Sequence, residues 1–418
     1  MGKQADAPCL FASIEQLSGE VAACLRRKGM CAIGEVDVLA FGFSCKDLSR
    51  QNPSRAKSLK EPENVLAHGV TPGGSAQTFR QALRYVDKHP PGMIILENVD
   101  GMDDNKDAPQ GSDMDLCLAE FSARGYESQV VLMDNNEFGL PSSRRRFYIV
   151  FLKTIGSNCL SFKSRSIDTM FETLIQLVNV CRRKAPCAST VLLPGDDPAI
   201  AKWLKQQQDK QRESSSPGTW SEQHMREFQS LGCRVGQGVP AHVSNSPWFH
   251  TLTRREQSCL EHAIKETPNL FMVDVSQSLK RTRHSSEEDN LHVAPAMLPI
   301  QIMWIHASQL RAYGQPCGRL LLGREALLMQ GFPIKKAMEL TEKTSEEHMR
   351  NMAGNSFGCT VVLAILMATF ASVDWRVDTT SATLSVSDDA QVAAAMQAFA
   401  VLGSKQELPI ARRQRKID

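Results

Sequence analysis

Apolar positions along the chain fall into short continuous runs that alternate with helical stripes. Val36 to Phe41 reads as a buried strand that stops at Gly42. Ser75 to Lys88 reads as a helix with Phe79, Leu83 and Val86 on one side, ended by Pro90-Pro91. Met93 to Leu96 is a second buried strand, running into Glu97-Asn98-Val99. Asp113 to Arg124 is a further helix with Gly125 at the C′ position. Residues 129–133 and 147–151 are two more strands. Strands alternating with helices predict an α/β domain with a largely parallel sheet.

After residue 152 the pattern loosens. Residues 165–184 read as an amphipathic helix. Lys205 to Gly218 (KQQQDKQRESSSPG) reads as a polar, mobile linker, and Arg281 to Asn290 as a polar loop, with no clear period between them. Regularity returns at Gly323 with GREALLMQGFP, then a helix over about 360–371 that reads as a buried core helix. Its apolar run, 361–371, is shorter than the roughly 20 residues that span a bilayer, so no membrane partner is expected.

Composition changes this picture little. The chain has 418 residues, 42% hydrophobic and 22% charged, with a formal net charge of +2. That is ordinary for a globular protein, and any nucleic-acid surface must be local. The N-terminus carries no charged-then-apolar targeting pattern. The 12 cysteines therefore read as free thiols in a reducing compartment. They include no CxxC pair, so no metal is expected.

Three features carry candidate chemistry. Cys45 follows the first strand and opens a loop with Lys46, Arg50, Asn52 and Arg55. In open α/β sheets, ligands bind at the carboxyl ends of strands. Glu97 ends the second strand after four apolar residues, where desolvation favours a carboxyl that keeps or shares a proton. Arg144, Arg145 and Arg146 open a later strand, where alternation puts Arg144 and Arg146 on one face and Arg145 on the other. Taken singly these are a structural cysteine, a strand-end turn and a solvated basic run.

Their order resembles that of the cytosine-C5 DNA methyltransferases, which use S-adenosylmethionine (SAM). GFSCKDLS resembles that family's nucleophile loop, ENV at 97–99 its glutamate motif, and FGLPSSRRRFYIV at 138–150 its paired-arginine segment. REALLMQGFP at 324–333 and GNSF at 354–357 resemble its closing motifs. The resemblance implies a Rossmann-like methyltransferase sheet with an inserted target recognition region. It divides the chain into a catalytic α/β domain (1–152), a recognition region (153–317), a closing catalytic part (318–375) and an accessory basic-ended tail (376–418).

By the same resemblance Cys45 is the thiolate that adds to cytosine C6, and Glu97 contacts N3 and the exocyclic amine. Arg146 and Arg144 bind O2, and the base is flipped out of double-stranded DNA. Ile14, Phe43, Ser44, Thr78, Asn355 and Ser356 fall at SAM-pocket positions. The implied setting is nuclear in a eukaryote and cytoplasmic otherwise. The chain departs from the pattern in having Ser44 before the cysteine, Ser142 before the arginines and Ser13 before Ile14. Nothing before Cys45 resembles the family's glycine-rich turn, so the reading is of a chain that starts inside the cofactor half and binds SAM weakly. A tRNA cytosine-C5 methyltransferase and an inactive nucleic-acid-binding remnant are the alternatives.

Overall fold

The computed structural model describes residues 8–52, 64–69, 72–104, 111–155, 166–213, 226–232, 239–267, 270–279, 284–288, 291–306, 318–341 and 344–373. These divide into two compact units. The first draws on Met1–Met133, Arg145–Cys181 and Ala364–Asp418, the second on Asp134–Arg144 and Arg182–Leu363. Residues 153–181 thus cluster with the first unit and 318–363 with the second. Arg55, the tail from 376 and residues 214–218 lie outside the described residues.

The first unit opens with a hairpin, β1 (Val21–Cys24) and β2 (Gly29–Ala32). Its main sheet has the order β3-β4-β6-β5, built from β3 (Val38–Phe41), β4 (Met93–Val99), β5 (Tyr126–Asp134) and β6 (Arg145–Lys153). β3 and β4 are parallel, with Phe41 opposite Leu96, whereas β4 and β6 are antiparallel. The sheet is therefore mixed, where the alternating pattern predicted a largely parallel one. β3 is also only half-covered, with Ala40 in it and Val36 before it exposed, where a buried strand was predicted, because an apolar run shows neither the direction of a strand nor what covers it.

Helix α1 (Ser75–Lys88) has the predicted bounds, with Phe79, Leu83 and Val86 buried. α2 (Asp113–Ser122) begins with a capping box between Ser112 and Asp115. It ends before Gly125, whose φ of +78° and close approach to the Ile155 backbone suit no side chain. α3 (Ile167–Val180) completes the unit. Aromatic contacts run from loop to sheet: Phe43 on Phe79 (5.1 Å between ring centres), Phe79 on Phe121 (6.4 Å) and Phe121 on Phe151 (4.2 Å).

The second unit holds more structure than its sequence pattern predicted. α4 (Pro198–Glu213) occupies most of the expected linker. Ile200 and Trp203 are buried near its start, and the Lys, Gln and Arg that follow propagate helix well. α5 (Arg254–Glu266) lies where no period was read, although Thr253 and Glu256 form a capping box at its start. β7 (Met272–Asp274), β10 (Met303–Ile305) and β11 (Arg319–Leu320) form a small antiparallel sheet. β8 (Ser286–Glu288), inside the expected polar loop, pairs with β9 (Leu291–Val293) just after it.

α6 (Gly323–Met329), α7 (Ile334–Thr341) and α8 (Glu346–Asn355) follow, and α9 (Cys359–Ser372) leads back into the first unit. Glu346–Ser372 is long and apolar enough to cross a membrane by length and composition, but residues 356–358 separate α8 from α9. α9 is not the fully buried helix expected. Leu363, Met367 and Phe370 form an exposed stripe, because a uniformly apolar sequence does not say which side is covered.

Arg319 and Glu325 form a fully buried ion pair in the second unit, with bonds of 2.8 and 2.7 Å. Glu325 also accepts the Leu322 and Leu193 backbone N–H groups at 2.9 and 2.7 Å. Removing one partner would strand the other charge away from water. Arg319→Met is therefore expected to destabilise this unit by about 3–5 kcal/mol in urea unfolding. A loss below about 1 kcal/mol would show that water reaches the Glu325 carboxylate.

Candidate active site

Parallel pairing of β3 with β4 brings two strand ends together in the first unit. The ladder stops at Phe41 opposite Leu96. One residue further, β4 carries Glu97; four residues further, the β3 loop carries Cys45. The loop is fixed by bonds from three sides. Asn98 Nδ2 donates to the Phe43 carbonyl (3.1 Å) while Asn98 Oδ1 accepts the Val99 N–H (2.8 Å). Ser44 N–H donates to Thr78 Oγ1 (3.0 Å), and that hydroxyl donates to the Gly74 carbonyl (2.9 Å). Asp47 and Ser75 bond reciprocally, backbone to side chain, at 3.1 and 2.8 Å.

Cys45 is half-buried and packs on the core beneath the loop. Its carbonyl accepts the N–H groups of Leu48 and Ser49, at 3.1 and 2.8 Å, so the chain turns helically just after it. Lys46 is exposed. Arg50 is engaged elsewhere, with Asp100 (2.8 Å) and Asp104 (2.6 Å).

Glu97 and Arg146 meet across β4 and β6. Arg146 Nε lies 3.3 Å from Glu97 Oε1, and the two side chains are 13% and 12% exposed. That carboxylate oxygen accepts no well-directed hydrogen bond among the described residues. It is a nearly dry acceptor held only by charge. Arg145 is exposed on the other side of the strand.

β6 begins at Arg145, so Arg144 lies outside the strand and in the second unit. Its N–H donates to Asp134 Oδ1 (2.6 Å), and its guanidinium donates to the carbonyls of Met297 (3.0 Å) and Gly354 (3.2 Å). Burial pushes the Asp134 carboxyl above the usual carboxylate range, against the Arg144 N–H and Ser143 hydroxyl that it accepts. Ser142 is fully buried and donates to the Met329 carbonyl (3.1 Å).

Of the SAM-pocket positions, four belong to the first unit. Ile14 starts a short helical turn and is half-buried; Phe43 is turned into the core against Phe79. Ser44 Oγ is buried with no partner among the described residues. Thr78 serves the loop as above. Glu15, beside Ile14, accepts bonds from Gln77 (3.1 Å) and Gln81 on α1. Asn355 and Ser356 belong to the second unit, at the end of α8, bonded to the Asn351 and Ala353 carbonyls at 2.9 and 3.0 Å. A Cβ on Gly354 would stand 2.1 Å from the Pro299 nitrogen, so this close approach requires glycine.

The sequence reading assigned no role to Asn98, Asp47 or Ser75. Asn98 was visible as a polar residue inside an apolar strand end, a position that needs a partner. Asn98→Ala would leave the Phe43 carbonyl and Val99 N–H unpaired in a buried place. The expected result is a loss of about 1–3 kcal/mol in stability and faster hydrogen exchange in residues 42–49. Unchanged exchange in that loop would show that Thr78 and Ser75 hold it alone.

Comparison with known proteins identifies a family for the chain. Residues 23–371 match the family of C-5 cytosine-specific DNA methylases. Over 389 residues the chain is 27% identical to the DNA (cytosine-5-)-methyltransferase DMT5 of Cryptococcus neoformans var. grubii, covering 86% of this chain and 14% of that protein. Over 137 residues it is 31% identical to the type II methyltransferase M.BsuFI of Bacillus subtilis, covering 32% of this chain and 29% of that one. The chain therefore spans a minor part of the length of these relatives. The crystal structure of the S. pombe Dnmt2 methyltransferase aligns at 14% identity with a TM-score of 0.38, over 79% of this chain and 76% of that one. The match across residues 23–371 places the chain in the C-5 cytosine-specific DNA methylase family.

Proposed function

We propose that the chain transfers a methyl group from SAM to C5 of cytosine in double-stranded DNA, through a covalent adduct with Cys45 and a flipped base. The observation that supports this most directly is the convergence of the Cys45 loop with the Glu97–Arg146 pair at adjacent strand ends. C5 of cytosine is a weak nucleophile. A thiolate forming a bond from Cys45 Sγ to C6 moves electron density to C5 and the ring. Glu97 holds the proton at N3, offsetting the charge that develops there, and Arg146 supports the O2 side. The dry position of Glu97 strengthens both contacts. When the C5 proton leaves to a base, the S–C6 bond breaks and Cys45 is released.

The first-unit residues fit part of a SAM molecule. Ile14 would supply an apolar contact to SAM, and the Ser44 hydroxyl, buried with no partner among the described residues, a polar one. Phe43 contributes through its backbone, since its ring is committed to Phe79. SAM bound there would supply an electrophilic methyl group.

The test is transfer of labelled methyl from SAM to duplex DNA, with tRNA in parallel. Transfer to tRNA alone would overturn the substrate assignment, and absence of SAM binding would overturn the activity. Cys45→Ser is expected to abolish transfer while leaving the fold intact, because a hydroxyl is a far weaker nucleophile at neutral pH. A duplex carrying 5-fluorocytosine should trap the chain covalently at Cys45, since fluorine does not leave as a proton does.

Arg146→Ala is expected to lower turnover by more than about tenfold, against little change for Arg145→Ala, which removes an exposed group. Equal losses would mean that the Glu97 contact is not what Arg146 contributes.

A further inference from the structure

The hairpin at the front of the first unit holds a cluster of thiols that the proposed reaction does not use. In the β1–β2 register, Cys31 stands opposite Ala22 and Cys24 opposite Gly29. Side chains two apart on a strand share a face, so Cys24 and Cys31 sit diagonally on one face of the hairpin. A third segment lies beside β1. Phe11 bridges to Cys24, and Leu25 N–H donates to the Leu10 carbonyl at 2.7 Å. That segment delivers Cys9. The three Sγ atoms all lie within 4.8 Å of one another, although their owners are far apart in sequence.

The surroundings give the trio a further purpose than packing. β1 and β2 bury almost nothing: Ala22 and Cys24 are their buried residues, while Val21 and Met30 are 54% and 65% exposed. A two-stranded hairpin this exposed lacks the apolar burial that would fix it, and thiols are weak hydrogen-bond donors. Small elements without a core are commonly held by a metal. The turn from Leu25 to Lys28 folds back over the sulfurs. Arg27 N–H donates to Cys24 Sγ at 3.4 Å, and Arg26 reaches the Pro8 carbonyl at 3.3 Å.

We propose that Cys9, Cys24 and Cys31 form a three-thiolate site for zinc, with the fourth position left to water or an outside ligand. An all-sulfur set selects a thiophilic ion over calcium or magnesium. Zinc–sulfur bonds of about 2.3 Å place tetrahedral sulfurs about 3.8 Å apart, a contraction within the reach of χ1 rotation. Three thiolates on a divalent ion leave one negative charge, which Arg26, Arg27 and Lys28 on the turn can balance. Binding releases the thiol protons to solvent and moves no electrons. Among the described residues no histidine or carboxylate joins the three sulfurs. The metal would clip the segment that carries Ile14 and Glu15, and through Glu15 would steady α1.

The test is titration of the metal-free, reduced protein with Co2+, followed by displacement with Zn2+. A sulfur-to-cobalt charge-transfer band with tetrahedral d–d bands should saturate at about one ion per chain and disappear on adding zinc. Cys24→Ser and Cys31→Ser should each weaken binding by about a hundredfold or more, while Cys187→Ala in the second unit leaves it unchanged. Should the serine variants fail to fold, alkylation of the unaltered protein decides. Zinc should protect Cys9, Cys24 and Cys31, and a chelator should restore their reactivity. No charge-transfer band, a band that survives in both serine variants, zinc-independent alkylation, or a disulfide among the three in place of metal would each overturn the proposal.

Discussion

The amide of Asn98 fixes the relation between the two strand ends on which the site stands. Parallel strands hold each other only as far as their ladder runs, and the β3–β4 ladder ends at Phe41 and Leu96. Beyond it the chain must still place a thiol and a carboxylate with respect to each other. Asn98 adds one further rung from a side chain, donating to the Phe43 carbonyl and accepting the Val99 N–H. Because the amide is buried, water cannot substitute for either bond. Phe43, held from above by this bond, is held from below by Phe79 and the aromatic contacts that lead to Phe151. The loop is thus fixed through its backbone and its core ring, with the half-buried Cys45 packed on the core beneath it.

Charge around the loop is arranged in the same economical way. Arg50 lies on the loop but is committed to Asp100 and Asp104 on the turn that follows β4. Those pairs are half-exposed, so they order the loop more than they stabilise the fold. Arg146 faces Glu97, where both groups are largely shielded from water. An ion pair of that kind holds each partner in place. With a net charge of +2 the chain offers no strong overall attraction for DNA. Under the proposed function, DNA recognition would rest on local contacts.

What could be read in the sequence follows from which interactions are local. α1 was legible to the residue because its buried stripe lies within the helix and its stop, Pro90-Pro91, follows directly. The positions of Glu97 and Cys45 near the ends of β4 and β3 were legible because short apolar runs mark those strands, although β4 runs on to Val99. α5 was missed even though Thr253 and Glu256 announce its start, since attention to period alone passes over caps. α4 was read as linker because its polar end was weighed without Ile200 and Trp203. The thiol cluster had no signature at all. Residues 9, 24 and 31 follow no ligand spacing, and only hairpin register together with the Phe11 bridge brings them to one face.

Arg144 and Arg146 show how far a motif can be trusted. Alternation put both on one face of one strand, a local argument that requires the strand to include both. It begins at Arg145. Arg144 instead has its N–H on Asp134 and its guanidinium on the carbonyls of Met297 and Gly354, all within the second unit. Gly354 accepts that bond where its own backbone is pressed against Pro299, immediately before Asn355. Two arginines of identical chemistry, separated by one residue, thus serve different ends. Arg146 is paired with the Glu97 carboxylate across β4 and β6. Arg144 is bonded to backbone carbonyls that cannot move without shifting the segment that ends α8. The same guanidinium fork can face a carboxylate or gather carbonyls, and where the strand starts decides which partners each arginine meets here.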